Sequence, residues 1–389
     1  MAQMPGCDGV RYLDHVFVDV DVTTEVTYGS NFSQAGFINS LEMDIYEPAG
    51  DALDARPLVV LAHGGSFIAG SRQDLAALCT DLAMRGYVAV TIDYRLYDVF
   101  AIPTKQVVSE VVIQAVSDMR AAIRFMRQEA DNGNTYGIDP DFVFAGGVSA
   151  GGITAVHTGF IDAGDDLGEP MTTVVADNGG LEGDSNEIMG YNSAVQGILN
   201  YSGAIKNVEW IGLNNPPIFS AHDDGDGTVP YGSETTTALI TPIFIEGSGS
   251  IHEKAEDIGL WNDLITIENS AGHVSYFQDG TDPIFYEVLE ASAFMMEYVY
   301  CNQITSVPTV QVPDFVVYPN PTNDLIGVVS SEGQTIDFVQ IYDLEGRLIL
   351  AQRFAASRVE MNLERLQAGT YVARIHTGDT WVSEPLMIN

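Results

Sequence analysis

Basic residues are scarce in this chain. Its 389 residues hold 16 Lys and Arg against 54 Asp and Glu, a formal net charge of -38. Nucleic acid repels such a polyanion, which excludes that class of partner. The charge suits a solvated surface in salty water, where screening over about 8–10 Å blunts self-repulsion. Cysteine is scarce too. Cys7, Cys79 and Cys301 are the whole set, with no Cys-x-x-Cys and so no metal-site spacing. One disulfide can form in an oxidising compartment, and the sequence does not choose the pair. No stretch of about 18 uninterrupted apolar residues occurs, so no membrane span is expected. Cofactor signatures are missing as well: there is no Rossmann Gly-x-Gly-x-x-Gly, no P-loop and no His-Glu-x-x-His. The expected chemistry therefore needs no cofactor and no metal. The opening residues, Met1 to Cys7, lack a charged segment followed by an apolar core, so no signal peptide is read there.

At 46% hydrophobic the chain can bury a substantial core, and its length implies two domains. Residues 12–47 read as β, with Val16, Val18, Val20 and Val22 at alternating positions. From Pro57 to Cys301 apolar strands alternate with helices, which implies a mainly parallel sheet. One helix is expected over Thr104 to Glu129, with Val108, Val111, Val112, Ala115, Met119, Ala122, Ile123 and Met126 at helical spacing. The last runs from Pro283 to Tyr300. Residues 161–195, rich in Gly, Asp, Asn and Ser, break the rhythm and are expected to form part of a substrate wall. Residues 302–314, with Pro308 and Pro313, look like an extended linker. Beyond them, Ile336–Tyr342 and Arg347–Ala351, then Thr370–Ile375 and Thr380–Ser383, read as two hairpins of a small β-sandwich. The expected division is 1–301, 302–314 and 315–389.

The chemistry centres on Gly147-Val148-Ser149-Ala150-Gly151, which falls where a buried strand gives way to a helix. A serine on such a turn has its hydroxyl exposed at the top of a sheet. In a chain with 38 glycines the pattern also arises by chance, and a small residue in a turn is the plain alternative. The order of the other pieces gives it weight. Upstream, an apolar strand ends in His63-Gly64-Gly65-Ser66, a turn able to aim N–H groups at an oxyanion. Downstream, another ends in the acidic loop His222 to Pro230, and a third in Gly272-His273. The order loop, Ser, Asp, His differs from that of chymotrypsin-like and subtilisin-like proteases. Ser149 is the expected nucleophile and His273 the general base. Seven histidines compete: His15, His63, His157, His222, His252, His273 and His376. Only His273 follows both the acidic loop and an apolar strand with a glycine before it; the rival His252 precedes that strand. The acidic loop offers Asp223, Asp224 and Asp226, and it lacks the twelve-residue pattern of a calcium loop.

On these residues the chain resembles the α/β-hydrolase carboxylesterases with His-Gly-Gly oxyanion loops, a branch that includes hormone-sensitive-lipase-like, feruloyl and acetyl esterases. Arg85–Arg95, Asp118–Arg127 and Tyr136–Pro140 add to the likeness, which covers roughly residues 40 to 300. It implies an α/β-hydrolase fold, a mostly parallel sheet flanked by helices. It also selects Asp226, through the spacing His222, Asp226, Val229, Pro230, and leaves Asp223 and Asp224 as loop or solvent groups. The oxyanion donors it implies are the N–H groups of Gly65 and Ser66, joined by Ala150 after the nucleophile, with His63 holding the loop.

The C-terminal part resembles the sorting domain of type IX secretion cargo in Bacteroidetes. Tyr318-Pro319-Asn320-Pro321, Ile341 to Arg347 and Leu366 to Tyr371 carry that likeness. The chain ends Pro385-Leu-Met-Ile-Asn389, where that family often has a lysine-containing apolar tail. The resemblance implies a secreted or cell-surface protein, the type IX machinery as partner, and an export signal on the full gene product. The expected function is a secreted serine carboxylesterase acting on short-chain or aromatic esters, on polysaccharides or polyesters, in a relatively open cleft. The alternatives are a prolyl-oligopeptidase-like peptidase, for whose propeller the chain has no room, and an inactive surface binding protein.

Overall fold

In the computed structural model, the apolar runs of the sequence become the middle of an eight-stranded sheet. The structure describes residues 4–388 apart from 99–100, 102–103, 189, 237–240, 279, 303–314, 323, 331–334, 343–347, 364 and 378–379. The strands are β1 (Val20–Phe32), β2 (Ile38–Pro48), β3 (Arg56–Ala62), β4 (Val88–Ile92), β5 (Ile138–Val148), β6 (Gly197–Tyr201), β7 (Ile218–Asp223) and β8 (Asn262–Ile267). Their order is β1-β2-β4-β3-β5-β6-β7-β8. β2 runs antiparallel to β1 and β4, and every other pair is parallel. Every residue of β3, β4, β6 and β7 is buried, because helices cover both faces of a parallel sheet.

The helices are α1 (Ala76–Arg85), α2 (Lys105–Asp131), α3 (Ala150–Phe160), α4 (Met171–Asp177), α5 (Ser248–Ile258) and α6 (Pro283–Cys301). Successive residues of β3 split between two cores. Leu58 and Val60 pack with α2 and α3, while Val59 and Leu61 pack with α1 and α6. Thr104 caps α2 by accepting from the Val107 N–H, and Asp282 caps α6 with Pro283 in its first turn. Cys7 and Cys301 form a disulfide that ties the first residues to the end of α6, and Cys79 is a buried free thiol.

One expectation is corrected: the first strand begins at Val20 and not near residue 12. Val16 and Val18 lie before β1 and are exposed, as is Val22 on it. The inward face of β1 is carried instead by Val20, Val26 and Tyr28, which pack against the core. Among the described residues, those of 161–195 are not in the lining of the cleft described below. They are instead tied to α2. Arg120 donates to the carbonyls of Thr158 and Ile161, and Arg127 to those of Asn192 and Ala194. Ser185 Oγ donates to Asp118, which also receives Arg95.

A second compact unit follows, described from Phe315. Its strands are β9 (Phe315–Tyr318), β10 (Leu325–Ser330), β11 (Ile336–Tyr342), β12 (Leu348–Ala356), β13 (Arg358–Asn362), β14 (Gly369–Thr377) and β15 (Thr380–Ile388). They form two antiparallel sheets, β9-β10-β13 and β12-β11-β14-β15. Ile326, Val328 and Met361 from one sheet share a core with Val339, Ile341 and Ile375 from the other. Both expected hairpins are present. The turn at 343–347, positions 378–379 of the other turn, and the linker beyond Asn302 lie outside the described residues.

Candidate active site

Ser149 stands between the last residue of β5 and the first of α3, with φ 56 and ψ -114. A non-glycine residue held there costs of order 1–3 kcal/mol and needs its surroundings to fix it. The Ser149 N–H donates to Tyr201 O at 2.7 Å, and its carbonyl accepts from Ile153 at 2.9 Å. The crossing of strand and helix is too close for side chains. A Cβ on Gly151 would lie 1.9 Å from the Ala62 carbonyl oxygen, and one on Gly147 would lie 2.4 Å from Gly151.

Ser149 Oγ lies 2.8 Å from His273 Nε2, and His273 Nδ1 lies 2.6 Å from Asp226 Oδ2. The Asp226 carboxylate is enclosed and also accepts from the N–H groups of Thr228 and Val229. Burial alone would raise its pKa. Hydrogen bonds from His222, His273 and Thr228 outweigh that and hold it well below the usual carboxylate range. His222 is wholly buried, bonded to Ser248 Oγ and the Val229 carbonyl. His252 lies on α5 beside Glu256 and takes no part in this chain of bonds.

The loop after β3 supplies the opposite wall. His63 is buried, stacks on Tyr94 and donates from Nδ1 to the Gly64 carbonyl. Burial lowers its pKa, which favours the neutral ring. Tyr94 donates its hydroxyl to the His63 carbonyl at 2.8 Å. Gly65, Ser66 and Phe67 follow with φ 115, 55 and 61, a tight loop closed by the N–H groups of Ile68 and Ala69 on the Gly65 carbonyl. Among the described residues, the N–H groups of Gly65, Ser66 and Ala150 make no hydrogen bond to protein. Gly64 lies close to the serine turn: a Cβ there would lie 3.2 Å from the Val148 carbonyl oxygen and 3.4 Å from Ser149 Cβ.

A cleft of about 500 Å³ opens beside these groups. Gly64 and Gly65 line it, and Ser66 is not among its lining residues. Val148 and Val274, the chain neighbours of Ser149 and His273, line it too. Leu75, Leu78, Phe277, Phe285 and Leu289 complete an apolar surface, and among the described residues Asp74 is the one charged residue on it. The arrangement suits a neutral apolar group held next to a serine hydroxyl. No cluster of side chains able to hold a metal is found among the described residues.

Asp223 corrects a further expectation. It ends β7 fully buried and is no solvent group, whereas Asp224 is exposed. Sequence reasoning missed it because its partners lie 47 and 52 residues further on.

Comparison with known proteins agrees with this architecture. Residues 43–205 match the BD-FAE family, a span that includes the His63 loop and Ser149 and ends before Asp226 and His273. Residues 316–389 match the secretion system C-terminal sorting domain. Among solved structures, the chain is similar to a thermophilic esterase from the planctomycete Thermogutta terrifontis. Its propionate-bound form is 22% identical over 76% of this chain and 97% of that one, with a TM-score of 0.52. The butyrate-bound form gives 22%, 75%, 98% and 0.52. Esterase 2 of the same organism, phosphorylated by paraoxon, gives 21%, 72%, 95% and 0.51. At that identity the likeness speaks for the fold. No protein of curated function matches the chain in sequence.

Proposed function

We propose that this esterase-like α/β-hydrolase with a C-terminal sorting domain is an exported serine carboxylesterase that works through an acyl-enzyme on Ser149. The observation that carries the reading is the unbroken run of bonds Asp226–His273–Ser149 beside a loop with unengaged N–H groups. Ser149 Oγ attacks the ester carbonyl carbon and passes its proton to His273 Nε2. Asp226 stabilises the imidazolium that forms. The developing oxyanion takes hydrogen bonds from Ala150 and from the Gly65–Ser66 turn; each such donor contributes roughly 3–4 kcal/mol. The tetrahedral intermediate collapses, the C–O bond to the alcohol breaks, and His273 returns its proton to the leaving alkoxide. Water then attacks the acyl carbon, gives a proton to His273, and the carboxylic acid leaves as Ser149 is reprotonated.

The apolar cleft supports esters with a short or aromatic group, carried on a polysaccharide or polyester. The sorting domain supports delivery to the cell surface or exterior through the type IX machinery. The Cys7–Cys301 disulfide fits an oxidising compartment. Hydrolysis of p-nitrophenyl esters from acetate to palmitate, on wild type and Ser149→Ala, tests the reading. Turnover of the short members that vanishes in the variant is the expected result. A folded wild type inert on every chain length would overturn it.

A further inference from the structure

Three carboxylates close β7 within four residues, yet only Asp226 touches His273. The other two grip the loop that carries it. Asp224 accepts from the N–H groups of Asn269 and Ser270 at 2.9 and 3.0 Å. Asp223 accepts from Ser270 Oγ at 2.5 Å, from the Ser275 N–H at 3.0 Å and from Ser275 Oγ. The donors to Asp223 thus flank His273 on both sides, three residues before it and two after.

The loop is built around that buried carboxylate. A Cβ on Gly272 would meet Ser275 Cβ at 2.8 Å, and Asp223 Oδ1 and Ser270 Oγ at 3.2 Å each. Val274, immediately after His273, has φ 55, a left-handed conformation that a β-branched residue resists. The next residue, Ser275, is the one Asp223 holds by both backbone and hydroxyl. Among the described residues no Lys or Arg pairs with Asp223, so these donors satisfy its charge.

We propose that Asp223 is a positioning residue: by clamping Ser270 and Ser275 it sets the register of His273 between Asp226 and Ser149. The proposal rests on the catalytic reading above. It is tested with Asp223→Ala and with the pair Ser270→Ala/Ser275→Ala, which removes the side-chain donors and leaves the carboxylate. Two readouts are needed: kcat and KM on p-nitrophenyl acetate, and the downfield proton resonance of the His273 Nδ1–H bonded to Asp226. Because misplacement of a reacting group by about 1 Å costs up to roughly 100-fold, kcat should fall about 10–100-fold with KM within about twofold. The resonance should weaken in step. Asp223→Asn, which keeps one oxygen for the Ser275 N–H, should recover part of both. A folded variant with kcat within twofold of wild type, or with kcat lost and the resonance intact, would overturn the proposal. If Asp223→Ala does not fold, the serine pair decides between the same two results. A wild type inert on esters whose resonance is lost in the variants would remove the esterase reading and leave the clamp standing.

Discussion

His273 Nε2 stands 2.8 Å from Ser149 Oγ although 124 residues separate the two in the chain. On its other side the ring meets Asp226 at 2.6 Å. Asn at 226 would keep the shape, and its oxygen could still accept from Thr228 and Val229, but it would not stabilise an imidazolium or hold the productive tautomer. Asp226→Asn should therefore lower kcat by roughly 10⁴-fold without loss of fold. Steady-state kinetics on a short ester check this, and a fall of less than tenfold would remove Asp226 from the catalytic chain.

The cleft should set acyl length. Leu78 of α1 is on its wall. Leu78→Trp would fill space in the cleft that a longer chain needs more than acetate does. We expect kcat/KM on a p-nitrophenyl octanoate to fall about 10–200-fold, with acetate changed only a few-fold. Equal losses on both esters would place the acyl group elsewhere.

The crossing of strand and helix at Ser149 should tolerate no added carbon. Gly151→Ala places a methyl 1.9 Å from a backbone oxygen of β3, and backbone cannot step aside as a side chain can. A loss of more than about 3 kcal/mol in urea unfolding is expected, at the upper end of overpacking effects. An unchanged midpoint would mean that α3 does not cross β3 as described.

His157 predicts an acid-labile fold. Its Nδ1 donates to the Ile153 carbonyl, and its Nε2 accepts from the Lys206 N–H. Protonation would put a second N–H against that donor inside the core. Burial lowers its pKa to about 4. A depressed folded pKa contributes stability that is complete above the unfolded value near 6.5 and is lost as pH falls towards 4. Between pH 7 and 4.5 the wild type should lose about 2–3 kcal/mol more than His157→Gln. Parallel losses in the two proteins would contradict this.

Some of this arrangement is legible in sequence because the chemistry demands particular residues at short range. The small residues around Ser149 and the glycine before His273 are local requirements of a tight turn, and the buried strands announce themselves as apolar runs. The paired hairpins of the second unit follow from short strands on either side of polar, glycine-containing stretches. What stays hidden depends on contacts across the chain. Asp223 sits in a loop of aspartates and glycines, where charge alone argues for solvent. Its burial makes sense only once Ser270 and Ser275 are seen around it. Residues 161–195 look like a loose polar rim, yet their carbonyls satisfy arginines buried along α2. Nothing in a single arginine's sequence context foretells that.

The central claim is that Ser149 is a nucleophile activated by His273. Labelling with a serine-directed organophosphate, followed by mass mapping of the labelled peptide, tests it most directly. The account predicts one adduct per chain, on Ser149, formed in step with loss of ester hydrolysis and greatly slowed in His273→Ala. A folded protein that takes up no label, or takes it up at another residue while Ser149 stays free, would contradict it.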